Sequence, residues 1–185
     1  GGTGWKHIAS GANEIIAITD GEDGSPVASV SSNNGDTWGS PSPIGSGPMG
    51  GIVYTGSNYI AIHKSQVGGS VINSYVSSAN GSSWNTGTLP TSGVWQSVAS
   101  DGNGAVVSVS SADVVYSQDS GTSWNLVTIP GVTTEEFQTV GYGNGKWVAL
   151  DNGTGNVAVS TNLIDWTLIE NAIAPRTYTD ITYGN

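Results

Sequence analysis

Four short apolar runs recur along the chain: Glu14-Ile-Ile-Ala-Ile18, Tyr59-Ile-Ala-Ile62, Ala105-Val-Val-Ser-Val109 and Lys146-Trp-Val-Ala-Leu150. Runs this short and this continuous mark strands covered on both faces. Each is preceded by a strand with alternating apolar positions that ends in a Gly/Asn turn. These are Trp5-Lys-His-Ile-Ala-Ser-Gly-Ala-Asn13, the stretch Met49 to Asn58, Trp95-Gln-Ser-Val-Ala-Ser-Asp-Gly-Asn103 and Phe137-Gln-Thr-Val-Gly-Tyr-Gly-Asn144. Each is followed by a third apolar stretch, at Val27 to Val30, Val71 to Val76, Val114 to Tyr116 and Val157 to Val159. No window carries a sustained 3.6-residue apolar period, so little or no helix is predicted.

A polar octet closed by tryptophan follows each third stretch. It is clearest at Ser117-Gln-Asp-Ser-Gly-Thr-Ser-Trp124 and recurs from Ser31 to Trp38 and from Ser77 to Trp84. A copy one residue shorter runs from Ser160 to Trp166. The spacing predicts a tight turn. The Ser117 hydroxyl and the Asp119 carboxylate accept from turn N–H groups. Gly121 takes a positive φ, and Trp124 opens the outgoing strand. Gly35 and Gly81 stand where Gly121 does. The closing residues Trp38, Trp84, Trp124 and Trp166 are 46, 40 and 42 positions apart. A period of about 40–45 residues suits one four-stranded propeller blade. The expected fold is therefore all-β: a β-propeller, or a segment of one, built from antiparallel blades in a single domain over 1–185. The units run about 1–47, 48–93, 94–134 and 135–176. A fifth first-strand copy, Tyr178-Thr-Asp-Ile-Thr-Tyr-Gly-Asn185, is expected to be one extra strand. Pro41, Pro43, Pro48, Pro90, Pro130 and Pro175 are placed in the connections between units, where no ladder bond is lost.

The octets resemble Asp-box repeats, also called bacterial neuraminidase repeats. The stretch Val140-Gly-Tyr-Gly-Asn-Gly-Lys-Trp-Val-Ala-Leu150 is similar to propeller repeats of phage tail or virion proteins and bacterial surface proteins. The resemblance covers almost the whole chain. It implies that the octets lie at the propeller periphery, away from the ligand face, in a structural role. Asp119 matches the family acid, and Asn33 and Asn162 are substitutes that still accept a hydrogen bond. Ala79 cannot, so the second turn is expected to rely on Asn80-Gly81 as a type I′ pair. The fourth copy lacks the glycine.

Charge narrows the function classes. The formal net charge is −10, from 14 acids against 4 bases. Such a chain repels phosphate backbones and anionic membrane surfaces, so neither nucleic-acid binding nor membrane insertion is expected. No apolar run approaches the roughly 20 residues that span a bilayer. There is no cysteine, which excludes disulfides and thiolate-bound zinc. The opening Gly1-Gly2-Thr3-Gly4 does not read as a secretion signal, and a processed chain or a piece of a longer polypeptide is expected.

The resemblance to neuraminidases implies three arginines clamping a substrate carboxylate. This chain has one, Arg176. Lysine does not supply the bidentate geometry, and the net charge opposes an anionic sugar. Other glycosidases need only two carboxylates about 5–9.5 Å apart. Asp20, Glu22, Asp23, Glu135, Glu136, Asp151 and Glu170 fall on connections assigned to one face, where solvated loop charges are the plainer reading. Asp20-Gly-Glu-Asp-Gly24 offers Asp20, Glu22 and Asp23 as oxygen ligands for calcium, but without full loop spacing. His7 and His63 form no metal pair. Trp5, Trp95 and Tyr178 either stack on sugar rings or pack between blades. Asn80-Gly-Ser82 and Asn152-Gly-Thr154 are glycosylation sequons that carry no meaning in a bacterial or viral protein, and turn chemistry explains Asn80.

The expected function is non-enzymatic: attachment, receptor or glycan binding, or structural decoration on a virion or other extracellular surface. Ligand contacts are expected from His63, Lys64, Trp95, Asp151 and Arg176, on the unequal loops of one face. The partners expected are a surface glycan or receptor and other chains of the same assembly, and no cofactor is implied. Two rivals stand beside this reading: a glycoside hydrolase fragment other than a sialidase, with Glu136 and Asp151 to test, and a purely structural assembly protein.

Overall fold

The computed structural model describes residues 4–21, 24–64, 73–133 and 136–184. They form sixteen strands and, among the described residues, no helix. Each consecutive group of four makes one antiparallel sheet in sequence order. The first blade holds β1 (Trp5–Ser10), β2 (Ile15–Thr19), β3 (Val27–Ser31) and β4 (Ser42–Pro43). The second holds β5 (Met49–Tyr54), β6 (Tyr59–His63), β7 (Ser74–Ser78) and β8 (Asn85–Thr88). The third holds β9 (Ser97–Ser100), β10 (Val106–Ser110), β11 (Asp113–Ser117) and β12 (Asn125–Thr128). The fourth holds β13 (Phe137–Gly143), β14 (Lys146–Asp151), β15 (Val157–Ser160) and β16 (Trp166–Ile169). The first strands touch in succession, β1 on β5, β5 on β9 and β9 on β13. This is a β-propeller arrangement.

The apolar runs become second strands, and the alternation of their side chains explains the stacking. Ile16, Ile18 and Ala28 point at the second blade and meet Tyr59, Ala61 and Val76 in one core. Ile60, Ile62 and Tyr75 point at the third blade and meet Val115. Val107, Val109, Val114 and Tyr116 point at the fourth blade and meet Trp147, Ala149 and Ala158. A strand between two blades needs apolar residues at odd and even positions alike, and β6 and β10 are buried along their whole length. The first blade shows the converse. Its outward positions Ile15 and Ala17 are half-buried, and Trp5, Ile8 and Trp38 are exposed.

The closing turns come in two lengths. In the first and third blades Ser31 and Ser117 accept from the amides of Gly35 and Gly121, at 2.9 Å each. Their hydroxyls donate to Asn33 at 2.9 Å and to Asp119 at 2.8 Å. Two successive residues have positive φ, Asn34-Gly35 and Ser120-Gly121. The Ser123 hydroxyl and amide donate to Asp119, which holds its carboxyl below the usual range. In the fourth blade Ser160 accepts from Leu163, three positions on, and Leu163 takes φ 76° without being glycine. The second blade follows the fourth. Gly81 donates to Ser78 at 2.8 Å and has φ 77°. Ser78 therefore does the work expected of Ser77, and Asn80 stands where Asn162 does. Asn80-Gly81 is no type I′ pair, because only Gly81 has positive φ. In all four turns the closing indole donates to the carbonyl three residues back, at 2.9 to 3.2 Å. Ser78→Ala should cost about 1–2 kcal/mol in urea unfolding, since two amides lose a buried acceptor. Ser77→Ala should stay within about 0.5 kcal/mol.

Three expectations need correction. Pro43 lies in β4, not in a connection. Pro41 and Pro43 have no N–H, so the outermost strand of the first blade pairs over only two residues. β7 begins at Ser74, while Val71 lies outside the described residues. Residues 178–184 are not a strand and pair with no sheet among the described residues. They nevertheless run over β13, where Ile181 and Tyr183 fill the space that a Cβ on Gly141 and Gly143 would need.

Candidate functional site

The first strands carry a β-bulge at one repeated position. Pairing skips a residue between Trp5 and His7, between Met49 and Gly51, and between Phe137 and Thr139. The extra residues are Lys6, Gly50 and Gln138, and Gln96 is the matching residue ahead of β9. The residue before the bulge plugs the gap between blades: Met49, Trp95 and Phe137 are buried. A bulge turns its extra side chain out of the ladder. Here Lys6, Gln96 and Gln138 line pockets beside the first strands.

A cavity of about 400 Å³ opens there, lined by Lys6, His7, Ile8, Gly50, Gly51, Ile52, Gln96, Ser97, Val98, Thr179 and Asp180. Gly50 lets the second and third blades approach closely there: a Cβ on it would lie 2.2 Å from the Trp95 carbonyl oxygen. A smaller pocket of about 160 Å³ shares Gln96 and is lined by Val94, Ser110, Ser111, Glu136, Phe137 and Gln138. Lys6 is 3.7 Å from the buried Asp20 carboxylate. His7 sits among these charges. Burial comes first in holding its pKa below the usual 6.5, the Met49 backbone hydrogen bond opposes it, and Lys64 adds to the depression. As pH falls below about 6.5 the unfolded chain takes a proton that folded His7 resists, so stability should fall with pH in that window. His7→Gln should flatten that slope in melts between pH 7 and 5.

The residues expected to touch ligand are not gathered around these pockets. His63 and Asp151 close their second strands at matching positions, together with Thr19 and Ser110. All four are buried and fasten the neighbouring backbone. Thr19 accepts from Val27, and Ser110 from Val94. His63 Nδ1 lies 3.0 Å from both Ser74 oxygens. Asp151 accepts from the amides of Glu136 and Thr154 at 2.7 Å each, and from the Thr154 hydroxyl. Trp95 is fully buried and offers no ring face to a sugar. Lys64 is half-buried beside Gly50, and Arg176 is exposed outside both pockets. Of the calcium candidates, Asp20 is engaged with Lys6, and Glu22 and Asp23 lie outside the described residues, as does Glu135. Sequence reading missed Lys6, Gln96, Gln138 and Asp180. A signal was present: a large apolar residue, Trp5, Met49, Trp95 or Phe137, precedes this position in every first-strand copy. A period-two reading cannot show a bulge.

No family model matches the chain, and no curated protein matches it. Solved structures do. A YCF48 structure with bound D1 peptide shares 16% identity with TM-score 0.59, over 90% of this chain and 52% of that one. A streptogramin B lyase shares 14% with TM-score 0.72, over 98% of this chain and 59% of that one. An ancestral GH74 enzyme shares 16% with TM-score 0.58, over 91% of this chain and 25% of that one. All are β-propeller proteins. At these identities the likeness is one of fold, and the chain spans about half to three fifths of the first two.

Proposed function

We propose that this chain is a non-enzymatic binding propeller that takes a surface glycan in the pockets beside its first strands. The display site we infer is a virion or another extracellular surface, in keeping with the resemblance of its turns to Asp boxes. One observation carries the reading: the residues at one repeated first-strand position, Lys6, Gly50, Gln96 and Gln138, line two polar pockets that share Gln96, and their type differs between the first three blades. Lysine, amide and hydroxyl groups over a strand floor suit the hydroxyls of a sugar, which need donors and acceptors from several directions. Asp180 lines the larger pocket and Glu136 the smaller, whereas two-carboxylate hydrolysis needs a facing pair in one site. Binding to a glycan array tests the proposal. A captured glycan should lose about tenfold or more in affinity on Lys6→Ala or Gln96→Ala, with Tm unchanged for Gln96→Ala and lowered for Lys6→Ala, which leaves the buried Asp20 without its ion pair. A silent array, or hits indifferent to both substitutions, overturns it.

A further inference from the structure

Five Asn-Gly pairs stand in the chain: Asn34-Gly35, Asn80-Gly81, Asn103-Gly104, Asn144-Gly145 and Asn152-Gly153. In such a pair the glycine's backbone nitrogen can attack the asparagine Cγ, since no side chain on the glycine shields it. The fold treats the five differently. Three of the glycine amides are engaged: Gly35 donates to Ser31 Oγ at 2.9 Å, Gly81 to Ser78 Oγ at 2.8 Å and Gly104 to the Thr55 carbonyl at 2.8 Å. A hydrogen-bonded N–H keeps its proton until the site opens. At Asn152 the obstacle is the side-chain carbonyl. Its Oδ1 is buried without a hydrogen-bond partner, and the Asn152 backbone amide donates to the Glu136 carbonyl. Attack at Cγ puts negative charge on Oδ1, and a buried oxygen with no donor disfavours that charge.

Asn144-Gly145 has neither protection. It forms the two-residue turn between β13 and β14, with Gly143 paired to Lys146 and positive φ at both turn residues, 49° and 72°. Both residues are exposed. The Gly145 amide has no acceptor among the described residues, and nothing lies within 4 Å of a Cβ built on Gly145. The hairpin tips Ala12-Asn13, Gly56-Ser57 and Gly102-Asn103 are exposed as well, although a following blade stacks on each of their blades. Exposure is therefore a property of the tip, not of the fourth blade's place in the series.

We infer that Asn144 is the residue at which this chain deamidates. The Gly145 nitrogen gives up its proton to base and bonds to Asn144 Cγ. The Cγ–Nδ2 bond breaks, and Nδ2 takes up a proton and leaves as ammonia. Water then opens the cyclic imide at either carbonyl, giving aspartate or isoaspartate at 144. Both products carry a new negative charge next to Lys146. Isoaspartate also lengthens the main chain by a methylene within a two-residue turn, close to the Tyr142 and Trp147 rings, which lie 4.6 Å apart.

The test incubates the folded chain in heavy-oxygen water at mildly alkaline pH and maps its peptides by mass spectrometry over time, with the guanidinium-unfolded chain alongside. The label enters each new carboxylate. Asn144 should convert first and outpace each of the other four by about tenfold or more, since sites closed by the fold react only through local opening. In the unfolded chain the five rates should draw together. Another asparagine converting first, or five equal rates in the folded chain, overturns the inference. So does a folded chain that stays intact while the unfolded one converts. An Asn144 lead that persists undiminished in guanidinium overturns it too, because local sequence would then set the order.

Discussion

Trp166→Ala is expected to lower stability by about 3–5 kcal/mol, the range for emptying a buried tryptophan site. Trp38→Ala, at the same position of the same turn motif, is expected to cost about 1 kcal/mol, little more than one exposed hydrogen bond. Both indoles donate to a carbonyl three residues back, at 2.9 and 3.0 Å, so the local bond cannot separate them. What differs is the covering blade. Trp166 is 4% exposed and packs in the core shared by the third and fourth blades. Trp38 is 42% exposed, and nothing lies within 4 Å of a Cβ placed on Gly35. A Cβ on Gly121 would instead meet Ile60 at 2.6 Å. Urea unfolding of the two variants measures the difference. Equal losses would mean that the turn itself, rather than stacking, sets the value of the tryptophan.

The second large effect belongs to Asp151. Asp151→Ala should cost about 2–4 kcal/mol, because the amides of Glu136 and Thr154 lose a charged acceptor at a buried site. Asp151→Asn keeps the shape but turns one acceptor into a donor that faces an N–H, so it should recover little. Glycan binding by the folded fraction should be unchanged in both. A loss of affinity at full stability would return Asp151 to the ligand-contacting set in which sequence reading placed it.

The fold was legible because stacked blades impose a two-sided apolar pattern that few other arrangements need. Ile60 and Ala61 must both be apolar when they face different blades. The turns were legible as turns but not in their lengths. Ser77 and Ser78 look alike in sequence, and the amides of Asn80 and Gly81 choose between them. The site was hardly legible. His63 and Asp151 drew notice because they are the chemically rich residues at their repeat position. Thr19 and Ser110 at the same position do the same fastening, and comparing the four would have shown it. Lys6, Gln96 and Gln138 were hidden by the extra residue that removes them from the alternation.

That extra residue has an evolutionary consequence. Its side chain belongs to no ladder and to no core, while the plug before it and the strand after it hold the blade. Gln96 and Gln138 can change at little cost to folding, whereas Lys6 pairs with the buried Asp20 and a Cβ on Gly50 would meet the Trp95 carbonyl oxygen, so new recognition is tried most freely in the third and fourth blades. The usual conflict between altering a binding surface and keeping a protein folded is relaxed there.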